Sequence, residues 1–129
     1  MNASMPPPAA PGSPEWPDQL DALAAAPAHH KLLFENERVR VLETRIAAGD
    51  RTPVHTHRWP GVLHILSWSH FVRYNDHDQV LVDSRAVEAF KNPPAVVWSG
   101  PLPPHWLHNV GDADLTVIAV ELKDNAPVQ

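Results

Sequence analysis

Hydrophobic and polar residues alternate in short stretches from residue 31 onward, and this alternation predicts β-strands. The predicted strands cover residues 31–34, 38–46, 54–59, 62–67, 71–74, 80–83, 96–98, 106–110 and 115–122. Turn-forming Gly, Pro, Asn and Asp residues separate most of them, and no helical period is sustained across this region. Nine short strands within about 95 residues predict an all-β sandwich or closed barrel.

The first 28 residues have a different pattern. Residues 1–14 are rich in Pro, Ala and Ser, a composition that predicts a flexible tail. Residues 17–26 predict a short helix, because Leu20 and Leu23 lie three apart on one face and Pro27 would end it. We therefore expect a tail with a short helix over residues 1–28 and a β-barrel domain over residues 29–129.

Composition narrows the classes of function. The 129 residues suit one domain, and a net charge of −5 with ten scattered Lys and Arg residues makes nucleic acid an unexpected partner. The apolar runs are far shorter than the ~20 residues of a membrane-spanning helix, and the N-terminus lacks a signal-peptide pattern, so we expect a soluble, cytoplasmic protein with no membrane contact. The chain has no cysteine, so nitrogen and oxygen atoms must supply any metal site.

Three of the nine histidines predict a metal site. His55 and His57 lie two residues apart, so their rings share one face of a strand with Cα atoms about 6.6 Å apart and can converge on one ion. His105 lies in a second strand-like segment after a proline-rich turn, from which it can complete a set of three nitrogen ligands. For the pair alone, two hydrogen-bonded interior histidines are an equally good interpretation.

The other histidines have simpler interpretations. His29 and His30 stand at the junction of tail and domain, where we interpret them as solvated linker residues. His77 lies in a predicted turn between two aspartates, where we expect it to be exposed. We expect His70 at the surface and His108 facing away from His105.

The spacing of these residues resembles the two motifs of the cupin superfamily. Gly49, five residues, then His55 and His57 match the start of the first motif, glycine-x5-histidine-x-histidine. His105, three residues and Asn109 match the end of the second motif, histidine-x3-asparagine. The resemblance covers residues 30–123 and implies a double-stranded β-helix, the jelly-roll barrel. It also implies one divalent transition metal per chain at the three histidines, a small-molecule substrate and a homodimer.

The sequence departs from these motifs at three places. Gly61 or Val62 occupies the position of the metal-ligating glutamate, Trp68 stands at the closing glycine of the first motif, and Leu102 replaces the glycine three residues before His105. Two interpretations follow. Either three histidines hold the metal, as in three-histidine cupin dioxygenases, with positions left for substrate and dioxygen, or the barrel binds an organic ligand without metal.

Two further residues are candidates for the site beside Gly61. His64 would be an extra ligand if alternation is counted from Val62, whereas counting from Gly61 turns it outward. Trp59 continues the inward parity of His55 and His57 and is a candidate pocket wall.

A divalent ion held by three neutral histidines keeps a charge of about +2, which favours an anionic or enolisable substrate. The candidate anchors for such a substrate are Arg45, Arg51, Arg58 and Arg73, and parity does not separate the inward from the outward ones. We expect a non-haem Fe(II) dioxygenase, with Mn, Ni, Zn or Cu as alternative metals. A redox-inert isomerase, decarboxylase or lyase, and a non-catalytic ligand-binding barrel, are the alternative functions.

Overall fold

The computed structural model describes residues 16–123 and contains nine strands. The strands are β1 His30–Glu35, β2 Val39–Ile46, β3 His55–His57, β4 Gly61–Ser67, β5 Phe71–Asn75, β6 Val80–Asp83, β7 Val96–Ser99, β8 Leu102–Asn109 and β9 Leu115–Leu122. The helical elements are α1 Ala22–Ala25 and three single 3₁₀ turns at Asp18–Leu20, Ser84–Ala86 and Glu88–Phe90. The predicted all-β class is confirmed, although β3 is shorter than predicted and β8 starts four residues earlier.

The strands form two antiparallel sheets that enclose a cavity. One sheet has the order β1-β2-β9-β4-β7 and the other has the order β3-β8-β5-β6. Ile46, Phe71 and Leu115 form a buried cluster at the apolar end of the interior. Alternation along β4 turns Leu63 and Ile65 towards the cavity.

A glycine turn and a buried asparagine connect the segments that carry the two motifs. Gly49 has φ +80°, a conformation that favours glycine, and its backbone N–H donates to the backbone oxygen of Asn109 over 3.0 Å. Asn109 is fully buried, and its side-chain amide donates to the backbone oxygens of Ile46 and Ala113, both at 2.9 Å. These two motif residues therefore have structural roles, and they fix the loop that leads into β3.

Residues 16–28 pack against the barrel. Trp16, Ala22 and Ala26 are buried, and Asp21 forms a bridge with Thr56 beside β3. The helix predicted over residues 17–26 is therefore present as a 3₁₀ turn followed by α1, and this segment is part of the packed domain. The tail predicted over residues 1–14 lies outside the described residues.

Among residues 16–123, no helix is both long and apolar enough to cross a membrane. The homodimer expected from the sequence stays a prediction.

Candidate metal centre

Four histidines from three strands meet at one wall of the cavity. His55 and His57 come from β3, His105 comes from β8 directly opposite His55, and His30 is the first residue of β1. The His55 ring centroid lies 4.7 Å from that of His30, 5.2 Å from that of His57 and 4.3 Å from that of His105. The pairing of β3 with β8 brings His105 to His55, and His30 reaches them from the other sheet.

His30, His55 and His57 have ligand nitrogens that all lie within 4.8 Å of one another. Two nitrogens bound to one ion at about 2.1 Å each are at most about 4.2 Å apart, so small side-chain adjustments would let these three bind an ion. His105 is not part of this group, and the centroid of its ring lies 5.9 Å from that of the His57 ring. The cluster His30, His55 and His57 could hold a metal, and the role of His105 as a ligand stays a prediction.

Each of the four imidazoles has its Nδ1 atom engaged by an acceptor outside the cluster. The acceptors are the backbone oxygens of Ala26 for His30 (3.0 Å), Pro53 for His55 (2.8 Å) and Pro103 for His105 (2.7 Å), and the carboxylate of Glu121 for His57 (2.7 Å). Because these oxygens only accept, the proton of each neutral ring is on Nδ1 and the lone pair is on Nε2. Metal-binding histidines have the same arrangement, in which the second nitrogen donates to a carbonyl or a carboxylate.

Burial keeps three of these imidazoles neutral, namely those of His30, His55 and His105. Desolvation, followed by the proximity of His57 and His55, lowers the pKa of His30 to about 3. Desolvation and His57 likewise lower the pKa of His55 to about 3, and desolvation holds the pKa of His105 well below its ordinary value. Neutral imidazole is the form that binds a metal, so these rings need not lose a proton on binding at neutral pH.

The environment of His30 differs from the one inferred from sequence. His30 is only 5% exposed, and its Nε2 atom is buried without a hydrogen-bond partner among the described residues. The interpretation of His30 as a solvated linker residue is therefore wrong. The side chain of its neighbour His29 is only 10% exposed, with Nε2 bonded to the carboxylate of Asp50 at 2.9 Å and Nδ1 buried without a partner among the described residues, so the same interpretation is wrong for His29. The sequence signal was weak because His30 is the first residue of a strand, where no alternation precedes it.

Glu121 is a site residue that the sequence analysis missed. It is 2% exposed, and besides His57 it accepts a hydrogen bond from Arg40 Nε at 2.7 Å. Arg40 in turn donates two hydrogen bonds to Asp21, at 2.8 and 3.0 Å. Although burial acts to raise the pKa of Asp21, its hydrogen bonds with Arg40 hold that pKa below the ordinary value. The signal available in the sequence was the alternation along β9, which places the Glu121 carboxylate on the same inward face as Leu115.

Gly61 lies directly opposite Glu121 in the pairing of β4 with β9. A Cβ atom at Gly61 would lie 2.5 Å from the backbone oxygen of Val120, which is closer than real Cβ atoms approach. Gly61, one of the two residues that can correspond to the glutamate of the motif, therefore has no space for a side chain in this barrel.

Alternation along β4 starts from Gly61, which lines the cavity, and this leaves His64 exposed on the outer face. The structure does not bring His64 to the cluster, and we withdraw it as a candidate ligand. Trp59 does line the cavity, as its parity predicts. Its ring is flanked by Arg40 Cζ at 4.9 Å from the centroid and by Lys123 Nζ at 5.2 Å.

The cavity has a volume of about 530 Å³, which is within the usual range of small-molecule sites. Beyond the histidines its wall is mostly apolar, with Trp68, Phe71 and Phe90 on one side. Of the four candidate arginines, Arg73 alone lines it. Arg45, by contrast, is exposed.

Solved structures with the same architecture share little sequence with the chain. A cupin domain from Bordetella pertussis matches with a TM-score of 0.54 and 18% identity, over 73% of this chain and 91% of that one. An RmlC-like cupin family protein from Methanocaldococcus jannaschii matches with a TM-score of 0.51 and 13% identity, over 72% and 77%. A protein with a double-stranded β-helix domain from Klebsiella pneumoniae matches with a TM-score of 0.51 and 14% identity, over 76% and 78%.

The chain therefore has the cupin fold, the double-stranded β-helix that its two motifs predict. No protein-family model matches the sequence, and no curated protein matches it at a significant level. At these identities the likeness establishes the fold, and any function must be argued from the site itself.

Proposed function

We propose that the protein binds one divalent transition metal through His30, His55 and His57 and acts on a small organic substrate as a non-haem Fe(II) dioxygenase. The observation that carries the proposal is the shared orientation of the rings. Each Nδ1 atom donates outward, each Nε2 atom is left as a potential ligand, and the Nε2 atom of His30 is buried without a partner among the described residues. A buried polar atom left without a partner has a free-energy cost that a bound ion would remove.

The donor set fits such an ion. Neutral imidazole nitrogen suits iron, nickel, copper and zinc, and the chain contains no thiol that would compete for them. A ferrous ion supplies redox chemistry between dioxygen and an organic substrate, whereas a redox-inert ion supplies Lewis acidity.

The surrounding residues would hold the ligands and keep water out. Glu121 and the backbone oxygen of Pro53 hold protons on the Nδ1 atoms of His57 and His55, which fixes both rings. The apolar wall that includes Trp68 and Phe71 limits water in the part of the cavity where a substrate would lie.

Metal content tests the first part of the proposal. Protein purified without a histidine tag is reconstituted anaerobically with Fe(II) or Mn(II), desalted and analysed for metal. We expect about one equivalent for wild type and for His64→Ala, whose imidazole is exposed, and a large loss for His55→Ala. Less than about 0.1 equivalent in wild type after reconstitution would refute metal binding.

The third ligand is decided by a matched pair of variants. If His30 is a ligand, His30→Ala weakens metal binding more than His105→Ala does, since His30 belongs to the close group of nitrogens. The opposite order would return the ligand set to His55, His57 and His105.

Oxygen consumption tests the reaction. Fe(II)-loaded protein is screened against diketones, catechols and keto acids in an oxygen electrode, with His55→Ala as the inactive control. Substrate-dependent oxygen uptake supports the dioxygenase. Product formation without oxygen uptake would replace it with isomerase, decarboxylase or lyase chemistry.

A further inference from the structure

Arg73 is a half-buried cation without a counter-ion among the described residues. It lies on β5 and lines the cavity, and its Nε atom is buried without a hydrogen-bond partner within residues 16–123. No carboxylate of these residues pairs with its guanidinium, and its Cζ atom lies 5.9 Å from the centroid of the Phe71 ring. Burial lowers the pKa of Arg73, yet a guanidinium stays protonated in proteins. A charge that is partly shielded from water and has no counter-ion is costly, so this one calls for an explanation.

Arg73 lies near His105, one of the four histidines that meet at the cavity wall. Arg73 pairs with Leu107 in the register of β5 with β8, and His105 lies two residues from Leu107 on the same face of β8. Diagonal neighbours of this kind have Cα atoms about 7–8 Å apart, within reach of a long side chain. An organic molecule in the cavity can therefore contact both the guanidinium and the cluster.

We propose that Arg73 binds the anionic group of the substrate, which is an organic carboxylate or similar oxyanion with a bulky apolar body. This inference rests on the proposed function for the claim that the molecule is a substrate, but binding itself requires no metal. A guanidinium forms paired hydrogen bonds with a carboxylate, and Trp68, Phe71 and Phe90 offer aromatic surface to the apolar body. The cavity volume of about 530 Å³ has room for an apolar body of one or two fused rings.

Binding of 2-naphthoate by the chelator-treated, metal-free full chain tests the proposal, with 2-naphthamide as the neutral analogue. Isothermal titration calorimetry measures both. We expect saturable binding of naphthoate, and binding of naphthamide that is about 30-fold weaker or more, because the amide lacks the charge that Arg73 would pair with. Equal affinity for the two compounds, or no saturable naphthoate binding at all, would overturn the proposal.

Two variants separate the charge from its geometry. Arg73→Met should weaken naphthoate binding about 30-fold or more and leave naphthamide binding unchanged, whereas Arg73→Lys should retain part of the naphthoate affinity because it keeps the charge and loses the paired geometry. Arg45→Met, on an exposed residue, is the control and should bind as wild type does. Unchanged naphthoate affinity in Arg73→Met would overturn the assignment.

Thermal unfolding supplies a second measurement that does not depend on enzymatic activity. Removing an unpaired, half-buried charge should leave Arg73→Met folded and at least as stable as wild type. Naphthoate should raise the melting temperature of wild type and not that of Arg73→Met. Because these measurements use metal-free protein, a failure of metal binding would leave the result for Arg73 standing, and the reverse also holds.

Discussion

Glu121→Gln should change the tautomer of His57. The carboxylate of Glu121 accepts from two donors, His57 Nδ1 and Arg40 Nε, each at 2.7 Å. A glutamine amide has one accepting oxygen and one donating NH₂ group, so one of the two donors must face the NH₂ group. Arg40 always donates, whereas His57 can accept at Nδ1 if its proton moves to Nε2. That proton would occupy the nitrogen that the proposed metal needs.

The expected magnitude follows from the interactions that are lost. The loss of a carboxylate or carbonyl that orients a metal-binding histidine typically lowers metal affinity by about 10–100-fold. A hydrogen bond to a charged group contributes about 1.5–3 kcal/mol and a neutral one about 0.5–1.5 kcal/mol, so replacing the charged bond by a neutral one should also lower the free energy of unfolding of the metal-free protein by about 1 kcal/mol.

Two measurements check this prediction. Competition with a chromophoric chelator gives the zinc affinity of Glu121→Gln and of Glu88→Gln, a control in which the substituted side chain is 85% exposed. Long-range ¹H–¹⁵N spectra of the imidazoles report which nitrogen of His57 carries the proton. Wild-type zinc affinity in Glu121→Gln, with the His57 proton still on Nδ1, would refute the role assigned to Glu121.

Three other perturbations act on stability. The pKa of His30 and of His55 is about 3 in the folded protein against an ordinary 6.5, so the unfolded chain binds more protons between these pH values. Urea unfolding of metal-free protein should therefore show about 2 kcal/mol less stability per histidine at pH 5 than at pH 7.5. A midpoint of unfolding that does not change with pH would contradict this. Gly61→Ala should lower stability by about 1–3 kcal/mol in thermal unfolding, and Gly100→Ala, which has open space around its Cβ, should not. Arg40→Met should cost about 3–5 kcal/mol, because two buried carboxylates lose their cation, and a loss below 1 kcal/mol in urea unfolding would contradict it.

The fold could be predicted because its signals are local. Alternation with a period of two, broken by turn residues, predicted nine strands, and residues 16–123 contain nine. The spacing from Gly49 to His57 and from His105 to Asn109 predicted that these segments would meet, and His55 pairs with His105. The strands needed only residues within one segment, whereas the meeting of the two motifs was implied by their resemblance to the cupin pair.

The rest of the site depends on contacts between segments that the sequence does not pair. Glu121 reaches His57 across 64 residues, and a single acidic residue near the end of a strand is usually exposed. His30 is the first residue of β1, so no alternating residues before it assign its side chain to one face of the sheet. Arg73 could not be separated from the other arginines, because the inward face of β5 is fixed only when β5 pairs with β8.

The position of the carboxylate explains how this barrel differs from the cupin motif. Gly61 stands at the position of the ligating glutamate and faces Glu121 across β4 and β9, so a carboxylate is present at the same level of the barrel but is attached to the adjacent strand. There it accepts from His57 and Arg40, which occupies both oxygens, so Glu121 would orient His57 in the proposed metal site.

This arrangement also determines which charge the cavity would favour. The charges of Asp21 and Arg40 offset each other, and Glu121 offsets one further positive charge. A divalent ion and Arg73 would together bring three positive charges to the cavity wall, so a net excess of about two would remain in a mostly apolar interior. Uncompensated charge in such an interior is costly, and an anionic substrate reduces the excess where a neutral one cannot. The proposed divalent ion and the unpaired Arg73 thus favour the same class of substrate, even with the charge of Glu121 counted.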